Sequence, residues 1–357
     1  LSPGRSTSTM AENPTHEVVP MKAIRLHRTG GPEVLQLDEI ERPEITSGQV
    51  LVKAHSIGIG LADQLVRDGR YPWMPELPTI PGIEMSGTIA AVGAGVTSHK
   101  EGDPVVVSAV PGRSCYAEYL AVDADWTFPC PAGFDLAVAG CLMNYRVAYR
   151  ILHSGVRARA GETVAIVGAS GGLGSALLDL ANAAGLETIA LARDAEKAAF
   201  AKARDARHVI DTKADDLTDT IMKVTGGRGV DHFIDPVGGA DFVNRLDLLA
   251  IHGTLVLYGM IDGLPQDDVF AAQCARWARC PAVRVFSIHS FDHEPEATGA
   301  DLKLLMEMIS AGTISPAIYA EMPLEDAVEA HQHLDDGRIR GKLLLQPNRD
   351  EARFTDQ

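Results

Sequence analysis

The amino-acid sequence predicts an α/β protein in which an all-β, barrel-like module accompanies a doubly wound parallel sheet. The first observation is a series of short β-prone runs between Met21 and about residue 145, separated by Gly- and Pro-containing breakers such as 29–32 and 81–82. The second is the alternation of strands and helices that follows, which is typical of βαβ units. With 357 residues, the chain is long enough for about two domains.

Hydrophobic periodicity and turn residues predict the elements in chain order. Strands of the first part are predicted over 21–27, 34–40, 49–59, 87–93 and 104–110. Strands of the second part are predicted over 163–168, 187–192, 208–212, 230–235, 253–259 and 283–289, with helices near 172–185, 194–204, 216–225 and 241–250. Two helices around 299–311 and 324–336 and a strand over 341–347 follow.

Composition excludes several classes of function. Acidic residues number 48 and basic residues 32, a net charge of −16, whereas a nucleic-acid-binding protein needs a basic face. No apolar run reaches the roughly 18 residues of a membrane-spanning helix. Five scattered cysteines lack CxxC spacing. This favours buried, reduced thiols in a cytoplasmic protein over disulfides or a four-cysteine zinc site.

A glycine-rich turn is the sharpest local signal. The strand over 163–168 runs into the sequence GASGGLGSALL, which opens a helix rich in alanine and leucine. A pyrophosphate needs such a turn, because the backbone must bend tightly, approach the phosphates and let helix and strand pack closely. The predicted cofactor-binding residues of the turn are Gly168, Ser170, Gly171, Gly172, Leu173 and Gly174.

The residues after the second parallel strand indicate which dinucleotide binds. A protein that binds NAD usually carries a carboxylate at the end of this strand, where it bonds the ribose 2′-hydroxyl. Here Ala192 ends the strand and Arg193 follows, with Lys197 one helical turn later. Two cations suit a 2′-phosphate, so the sequence predicts NADP(H). Asp194 is predicted to cap the next helix.

These stretches together resemble the medium-chain dehydrogenase/reductase superfamily, and within it the zinc-independent quinone oxidoreductase (zeta-crystallin-like) branch. The matching segments are 21–59, 77–105, NYRVAYRIL at 144–152, the glycine turn and GKLLLQP at 341–347. The resemblance implies a GroES-like β-barrel domain over 21–147 and 290–347. A Rossmann NADP-binding domain over 148–289 is inserted into it. Residues 1–20 and 348–357 are expected to be tails.

Two expected zinc ligands are missing from the sequence. Zinc-dependent relatives carry a cysteine three residues before an aspartate and a histidine before a glutamate after the Pro-Gly motif. Here Gly60 precedes Asp63, and Ile83 precedes Glu84. A catalytic zinc needs three protein ligands and an open position, so we expect no metal.

Candidate catalytic residues are Tyr145, Tyr149 and Asp63, which the resemblance places at the cleft between the two domains. Tyr71 and Trp73, in a Pro-rich loop, and Asn144 are candidate substrate-binding residues. Residues at the carboxyl end of a parallel strand border the ligand. This adds Tyr258, Gly259 and Met260 to the cofactor-binding residues.

The favoured function is NADPH-dependent hydride transfer to a quinone or an α,β-unsaturated carbonyl without zinc. One alternative is an enoyl-thioester reductase, which would share the fold and cofactor. A second is a non-catalytic NADPH-binding protein, because Gly60 and Leu65 stand where the family commonly carries Asn and Tyr. A zinc alcohol dehydrogenase is the least favoured. The resemblance also implies a homodimer paired through the strand predicted over 283–289.

Overall fold

A computed structural model describes residues 19–108 and 114–355 of the chain. Its strands, in chain order, are β1 (Pro20–Leu26), β2 (Leu35–Glu41), β3 (Gln49–Ile59), β4 (Glu84–Val92), β5 (Pro104–Ser108), β6 (Tyr119–Asp123), β7 (Thr127–Pro129), β8 (Thr163–Val167), β9 (Glu187–Ala192), β10 (His208–Asp211), β11 (Val230–Asp235), β12 (Leu249–Leu257), β13 (Ala282–Val285), β14 (Ile318–Pro323), β15 (Lys342–Gln346) and β16 (Arg353–Phe354).

Its helices are α1 (Leu61–Asp68), α2 (Leu136–Ala139), α3 (Leu142–Arg150), α4 (Gly172–Ala183), α5 (Ala195–Ala203), α6 (Leu217–Val224), α7 (Val269–Ala275), α8 (Pro295–Ser310) and α9 (Ala327–Asp335). In the part of the chain that the structure covers, no helix is long and apolar enough to cross a lipid bilayer.

Both chain ends contribute strands to one barrel-like sheet. Its order is β16-β14-β15-β3-β4-β5-β7, and β6 pairs with β3. The C-terminal strand β15 lies antiparallel to β3, with Leu343 opposite Ile59. Alternate side chains of these strands, such as Val50, Val52, Leu343 and Leu345, are buried in one apolar core.

The second sheet is parallel and has the order β10-β9-β8-β11-β12-β13. This is the Rossmann order, in which the strand sequence reverses beside β8. Helices cover both faces because successive side chains point to opposite sides. Ile166 packs with α4 and α8 on one face, while Ala165 packs with α6 and the 3₁₀ segment Val243–Leu248 on the other. The predicted fold class is confirmed.

Helix α3 lies where the chain passes from one sheet to the other. Its Arg146 and Arg150 both face Asp301 of α8, with the Arg150 Nε to Asp301 Oδ2 distance at 2.5 Å. The Arg146 side chain also donates to the Thr298 hydroxyl at 2.7 Å. Helix α8 packs on α3 and shares a core with α4. The helical layer of the parallel sheet therefore extends beyond residue 289, where the resemblance implies that the Rossmann domain ends.

The segment before β15 joins the barrel to the glycine turn. The Gly341 amide donates to the Ser170 carbonyl at 2.8 Å, and Gly171 and Gly341 form a parallel bridge. Gly341 has φ +83°, a conformation that favours glycine. A Cβ at this position would overlap the Ala317 carbonyl oxygen.

Several elements differ from the sequence-based expectation, among them the helix predicted near 241–250, which is a 3₁₀ segment over Val243–Leu248 followed by β12. The expected C-terminal tail over 348–357 is wrong for Arg353 and Phe354, which pair with Glu321 and Ala320 of β14. The open edge of β14 supplies the unpaired backbone groups that hold this polar segment. The strand predicted over 283–289 ends at Val285, and a 3₁₀ turn over Ile288–Phe291 follows. Of the expected N-terminal tail, residues 1–18 lie outside the described residues, and Pro20 already belongs to β1.

Gly341→Ala tests whether this close contact stabilises the molecule. We expect it to cost about 1–3 kcal/mol beyond the strain of a left-handed alanine, because the Ala317 carbonyl must move. Gly312→Ala is the matched control, since Gly312 has φ +70° and open space around the position of a Cβ. The measurement is thermal unfolding of both variants. Equal melting temperatures for the two variants would contradict the role of this contact.

Candidate active site at the domain cleft

The glycine turn follows β8 and leads directly into α4. Gly168 has φ +66°, and a Cβ at Gly174 would overlap the Gly168 carbonyl oxygen. A Cβ at Gly172 would overlap the Asn144 side-chain amide, which therefore lies against the turn. Glycine is required at these positions because a side chain would prevent this tight turn. The Ser170 side chain is buried, while Leu173 is half-buried and packs on the core beneath the sheet.

The N-terminus of α4 is suited to an anion. Gly171 is its N-cap and provides no side-chain hydrogen bond to the helix. The amides of the first turn therefore keep hydrogen-bonding capacity, and the helix dipole adds partial positive charge. A dinucleotide pyrophosphate fits such a turn.

The residues after β9 form the cationic end of this site. Ala192 is buried and Arg193 is exposed. Asp194 caps α5 by accepting from the Lys197 amide at 2.9 Å, as predicted. The Lys197 ammonium lies 3.7 Å from the Asp194 carboxylate. Arg193 and Lys197 thus lie close together beside the start of α5.

The loop between α9 and β15 reaches the same place, and sequence reasoning missed it. A Cβ at Gly337 would lie 3.6 Å from Lys197 Nζ and 3.8 Å from Arg193 Nη2. Arg340 of this loop forms an ion pair with Glu196 of α5. The only sequence signal was a pair of arginines in the segment GRIRG, more than 130 residues away from α5.

The carboxyl end of β12 forms the next part of the cleft. Tyr258 donates its amide to the Asp235 carbonyl at 3.0 Å, and Gly259 lies against Pro236, whose carbonyl oxygen is 2.6 Å from the position of a Cβ. Arg70 of the barrel domain donates to the carbonyls of Met260 at 3.2 Å and Ile261 at 3.0 Å. The loop after α1 therefore closes directly over the end of β12.

Asp63, Tyr71 and Trp73 line one small cavity with Pro81 and Gly82. The Tyr71 and Trp73 rings meet edge to face, with centroids 5.8 Å apart. Asp63 is 2% exposed, and its Oδ2 accepts from the Gly60 amide at 2.8 Å. Among the described residues its Oδ1 has no hydrogen-bond partner. Burial raises the pKa of Asp63 to about 7, so this carboxyl can hold or release a proton near neutral pH.

A buried ion pair lies beside Asp63. Lys342 of β15 bonds the Glu84 carboxylate, and the side chains are 4% and 5% exposed. Glu84 also accepts from the Met143 amide at 3.2 Å. A Cβ at Gly60 would lie 3.7 Å from Lys342 Nζ. An ammonium group therefore lies where the resemblance places a zinc-binding cysteine, and its charge opposes a cation there. Over residues 19–108 and 114–355, no group of three or more His, Cys, Asp or Glu side chains could hold a metal ion.

The two candidate tyrosines of α3 are not brought to this cavity. Tyr145 is 2% exposed and donates to Asp179 Oδ2 at 2.5 Å, which Arg204 also bonds at 2.5 Å. Burial and the Asp179 charge raise the pKa of Tyr145 far above its usual range. The structure therefore directs its hydroxyl at Asp179 and not at the cavity where the catalytic role was expected. Tyr149 is half-buried and packs on the exposed His153, with ring centroids 4.2 Å apart.

Comparisons with known proteins agree with this architecture. The alcohol dehydrogenase GroES-like domain family matches residues 46–132, and a family described as zinc-binding dehydrogenase matches residues 204–345. Quinone oxidoreductase of Rattus norvegicus is 33% identical over 333 residues, which cover 91% of this chain and 97% of that protein. The chain belongs to the quinone oxidoreductase family of the medium-chain dehydrogenase/reductase superfamily.

Further relatives and solved structures support this membership. Quinone oxidoreductase of Homo sapiens is 32% identical over 332 residues, covering 91% of this chain and 97% of that protein. The structure of Escherichia coli quinone oxidoreductase complexed with NADPH superposes with a TM-score of 0.86 at 28% identity, over 91% of this chain and 100% of that chain. A mycobacterial protein complexed with NADPH gives 0.85 at 32% identity, over 92% and 100%.

Asp63→Asn tests the buried carboxyl of this quinone oxidoreductase family member. The pKa of an aspartate is about 3.9 in an unfolded chain, and that of Asp63 is raised to about 7 in the folded protein. Ionisation therefore favours unfolding of the wild type as the pH rises from about 4 to about 7. We expect the stability of Asp63→Asn relative to wild type to increase over this range by up to about 4 kcal/mol.

Denaturant unfolding at pH 4 and pH 8 measures this difference. The exposed Asp125 provides a matched control, since Asp125→Asn removes the same charge from the surface. A stability difference between Asp63→Asn and wild type that does not change with pH would contradict the account.

Proposed function

We propose that the protein is an NADPH-dependent oxidoreductase that reduces quinones or α,β-unsaturated carbonyls without a catalytic metal. The observation that carries this proposal is the cleft itself. One wall combines the glycine turn, which suits a phosphate, with the cations Arg193 and Lys197. The other wall places the Lys342 ammonium beside Gly60, the position at which the resemblance expects a zinc-binding cysteine. Two similar structures that contain NADPH are consistent with it.

The residues that would hold the cofactor are those of the glycine turn and of the segment around β9. The amides at the start of α4 would bind the pyrophosphate, and Arg193 with Lys197 would bind the 2′-phosphate. Tyr258, Gly259 and Met260 would border the nicotinamide. When bound, the cofactor supplies a hydride. The protein must hold the acceptor next to it and keep water out.

A conjugated acceptor suits a metal-free site because the charge that develops spreads over a carbonyl oxygen. Such an oxyanion needs one or two hydrogen-bond donors and no metal ion. Tyr71 and Trp73 offer a flat aromatic surface for it. Enoyl thioesters share this electronic structure and form the second candidate.

The direct test is NADPH oxidation with 1,4-benzoquinone, a simple enone and a crotonyl thioester. Turnover of the quinone or the enone supports the proposal, and preference for the thioester favours the second candidate. Tight NADPH binding without oxidation across the panel would overturn it in favour of a binding protein. Stoichiometric zinc in the active protein would instead indicate alcohol dehydrogenation.

Arg193→Ala tests the preference for NADPH. Loss of one charge-assisted contact to the 2′-phosphate should weaken NADPH binding about 10- to 100-fold, while NADH binding stays unchanged. The control Lys202→Ala removes a positive charge from an exposed position at the far end of α5. Fluorescence titrations with NADPH and with NADH give the ratio of the two affinities. An unchanged NADPH-to-NADH affinity ratio in Arg193→Ala would reject this site.

We also propose a homodimer in the cytoplasm. Strand β13 is at the edge of the parallel sheet, and an open edge can pair with a second copy. Large apolar side chains are exposed in this region, namely Ile251, Leu264, Phe270, Trp277 and Val285. For the compartment, burial of Cys115, Cys130 and Cys141 suits reduced thiols, although Cys280 is exposed and departs from that expectation.

Val285→Arg tests the dimer. Val285 is 77% exposed in the single chain, so the substitution should leave the fold intact. If β13 pairs with its copy in a dimer, the substitution would place two positive charges close together. The dimer would then dissociate into single chains. Phe354→Arg, at an exposed position on β16, is the control. Sedimentation velocity decides, and a wild type that sediments as a single 38.1 kDa chain would contradict the proposal.

A further inference from the structure

Three side chains from two domains form a continuous chain of hydrogen bonds at the cleft. The Tyr71 hydroxyl lies 2.5 Å from His289 Nε2, and His289 Nδ1 lies 2.9 Å from Asp292 Oδ2. We assign the His289 proton to Nδ1, where the Asp292 carboxylate accepts it, so that Nε2 accepts the hydrogen bond of the Tyr71 hydroxyl. The Trp73 ring packs on the imidazole with centroids 4.4 Å apart and restrains its orientation.

This chain connects the inner cavity with the protein surface. Tyr71 lines the cavity together with Asp63. The preceding residue, Arg70, bonds the carbonyl of Met260 at the end of β12, where the nicotinamide is proposed to lie. The side chains of His289 and Asp292 are 18% and 22% exposed, so solvent protons reach them.

We propose that Tyr71 is the proton donor of the reduction and that His289, oriented by Asp292, returns a proton to it from solvent. The inference rests on the proposed function and names the proton path that this function needs. Tyr71 is the catalytic residue of this path, whereas His289 and Asp292 are positioning and relay residues.

The proposed step transfers one hydride and one proton to an enone. Hydride addition at the β-carbon moves the electron pair of the C=C bond onto the carbonyl oxygen. The Tyr71 O–H bond breaks and its proton bonds to that oxygen. A solvent proton then binds His289 Nε2, and the imidazolium passes this proton to the Tyr71 phenolate, which returns His289 to its neutral form. The acceptor has then gained one hydride and one proton.

The surroundings of Tyr71 explain why it needs the relay. Burial, and after it the charges of Asp63 and Asp292, raise the pKa of Tyr71 above its usual value. The hydroxyl therefore holds its proton at neutral pH, and a phenolate in this position is unfavourable. A histidine at 2.5 Å lowers that cost, because it passes a solvent proton to the phenolate.

Enones and quinones make different demands on this path. The enolate formed from an enone is a stronger base than the hydroquinone anion formed from 1,4-benzoquinone. Proton donation therefore matters more for the enone, and general acid catalysis typically contributes about 10²- to 10⁴-fold. Tyr71→Phe and His289→Gln are expected to lower kcat for the enone at least tenfold more than for the quinone. NADPH binding should stay unchanged.

Each variant has a matched control. Tyr319→Phe removes a hydroxyl bonded to another histidine, His333, at 3.2 Å in the barrel. His293→Gln changes an exposed histidine four residues after His289. Neither control should alter the enone-to-quinone ratio. In His289→Ala, added imidazole should restore enone reduction, because the vacated space beside Trp73 admits it, and a merely structural histidine would not be rescued in this way.

A readout without cofactor or turnover completes the test. In the cofactor-free protein, ¹⁵N NMR should show His289 protonated at Nδ1 with Nε2 accepting a hydrogen bond, and Tyr71→Phe should shift the Nε2 resonance. Asp292→Asn should change the tautomer. Two results would overturn the relay and leave the proposed function intact. One is an active wild type whose variants lose kcat by the same factor for the enone and the quinone. The other is an Nε2 resonance that Tyr71→Phe does not shift. A wild type inactive with every acceptor would overturn the function, and the relay with it.

Discussion

The contact between Gly341 and the glycine turn is the constraint on which the rest of the site depends. One amide-to-carbonyl hydrogen bond of 2.8 Å, from Gly341 to Ser170, holds the strand that closes the barrel against the turn of the parallel sheet. It places Lys342 of the same strand beside Glu84 and Asp63, and it brings the loop containing Gly337 to Arg193 and Lys197. A backbone hydrogen bond therefore sets the register of the two walls of the cleft, and side-chain contacts such as Arg340–Glu196 add to it.

Charge is distributed in this molecule according to the ligand and the chemistry proposed for it. An acidic chain of net charge −16 needs local cations to bind the polyanionic cofactor proposed here, and Arg193 and Lys197 lie close together beside α5. On the opposite wall, the Lys342–Glu84 pair lies beside Gly60, where the resemblance places a ligand of zinc-dependent relatives. A buried ion pair is costly to form and to break, so the Lys342–Glu84 pair fixes β15 to β4 and leaves Asp63 as the carboxyl whose proton can change.

Sequence reasoning predicted the parts that depend on local pattern. The glycine turn, the Asp194 cap and the parallel sheet follow from spacing along a few neighbouring residues. The parts that it missed depend on contacts between distant segments. Tyr145 lies in a stretch that resembles the family, yet its hydroxyl faces Asp179 and Arg204. The Arg340–Glu196 pair and the Tyr71–His289 bond join residues separated by 144 and 218 positions, and no local periodicity carries that information.

The central claim is that this cleft transfers a hydride without a metal ion. The most direct measurement is the rate of acceptor reduction by chelator-treated, zinc-free protein, compared between NADPH and NADPH deuterated at the transferred position. The account predicts that chelation leaves the rate unchanged and that deuteration slows it. A rate lost on chelation and restored by zinc would contradict it.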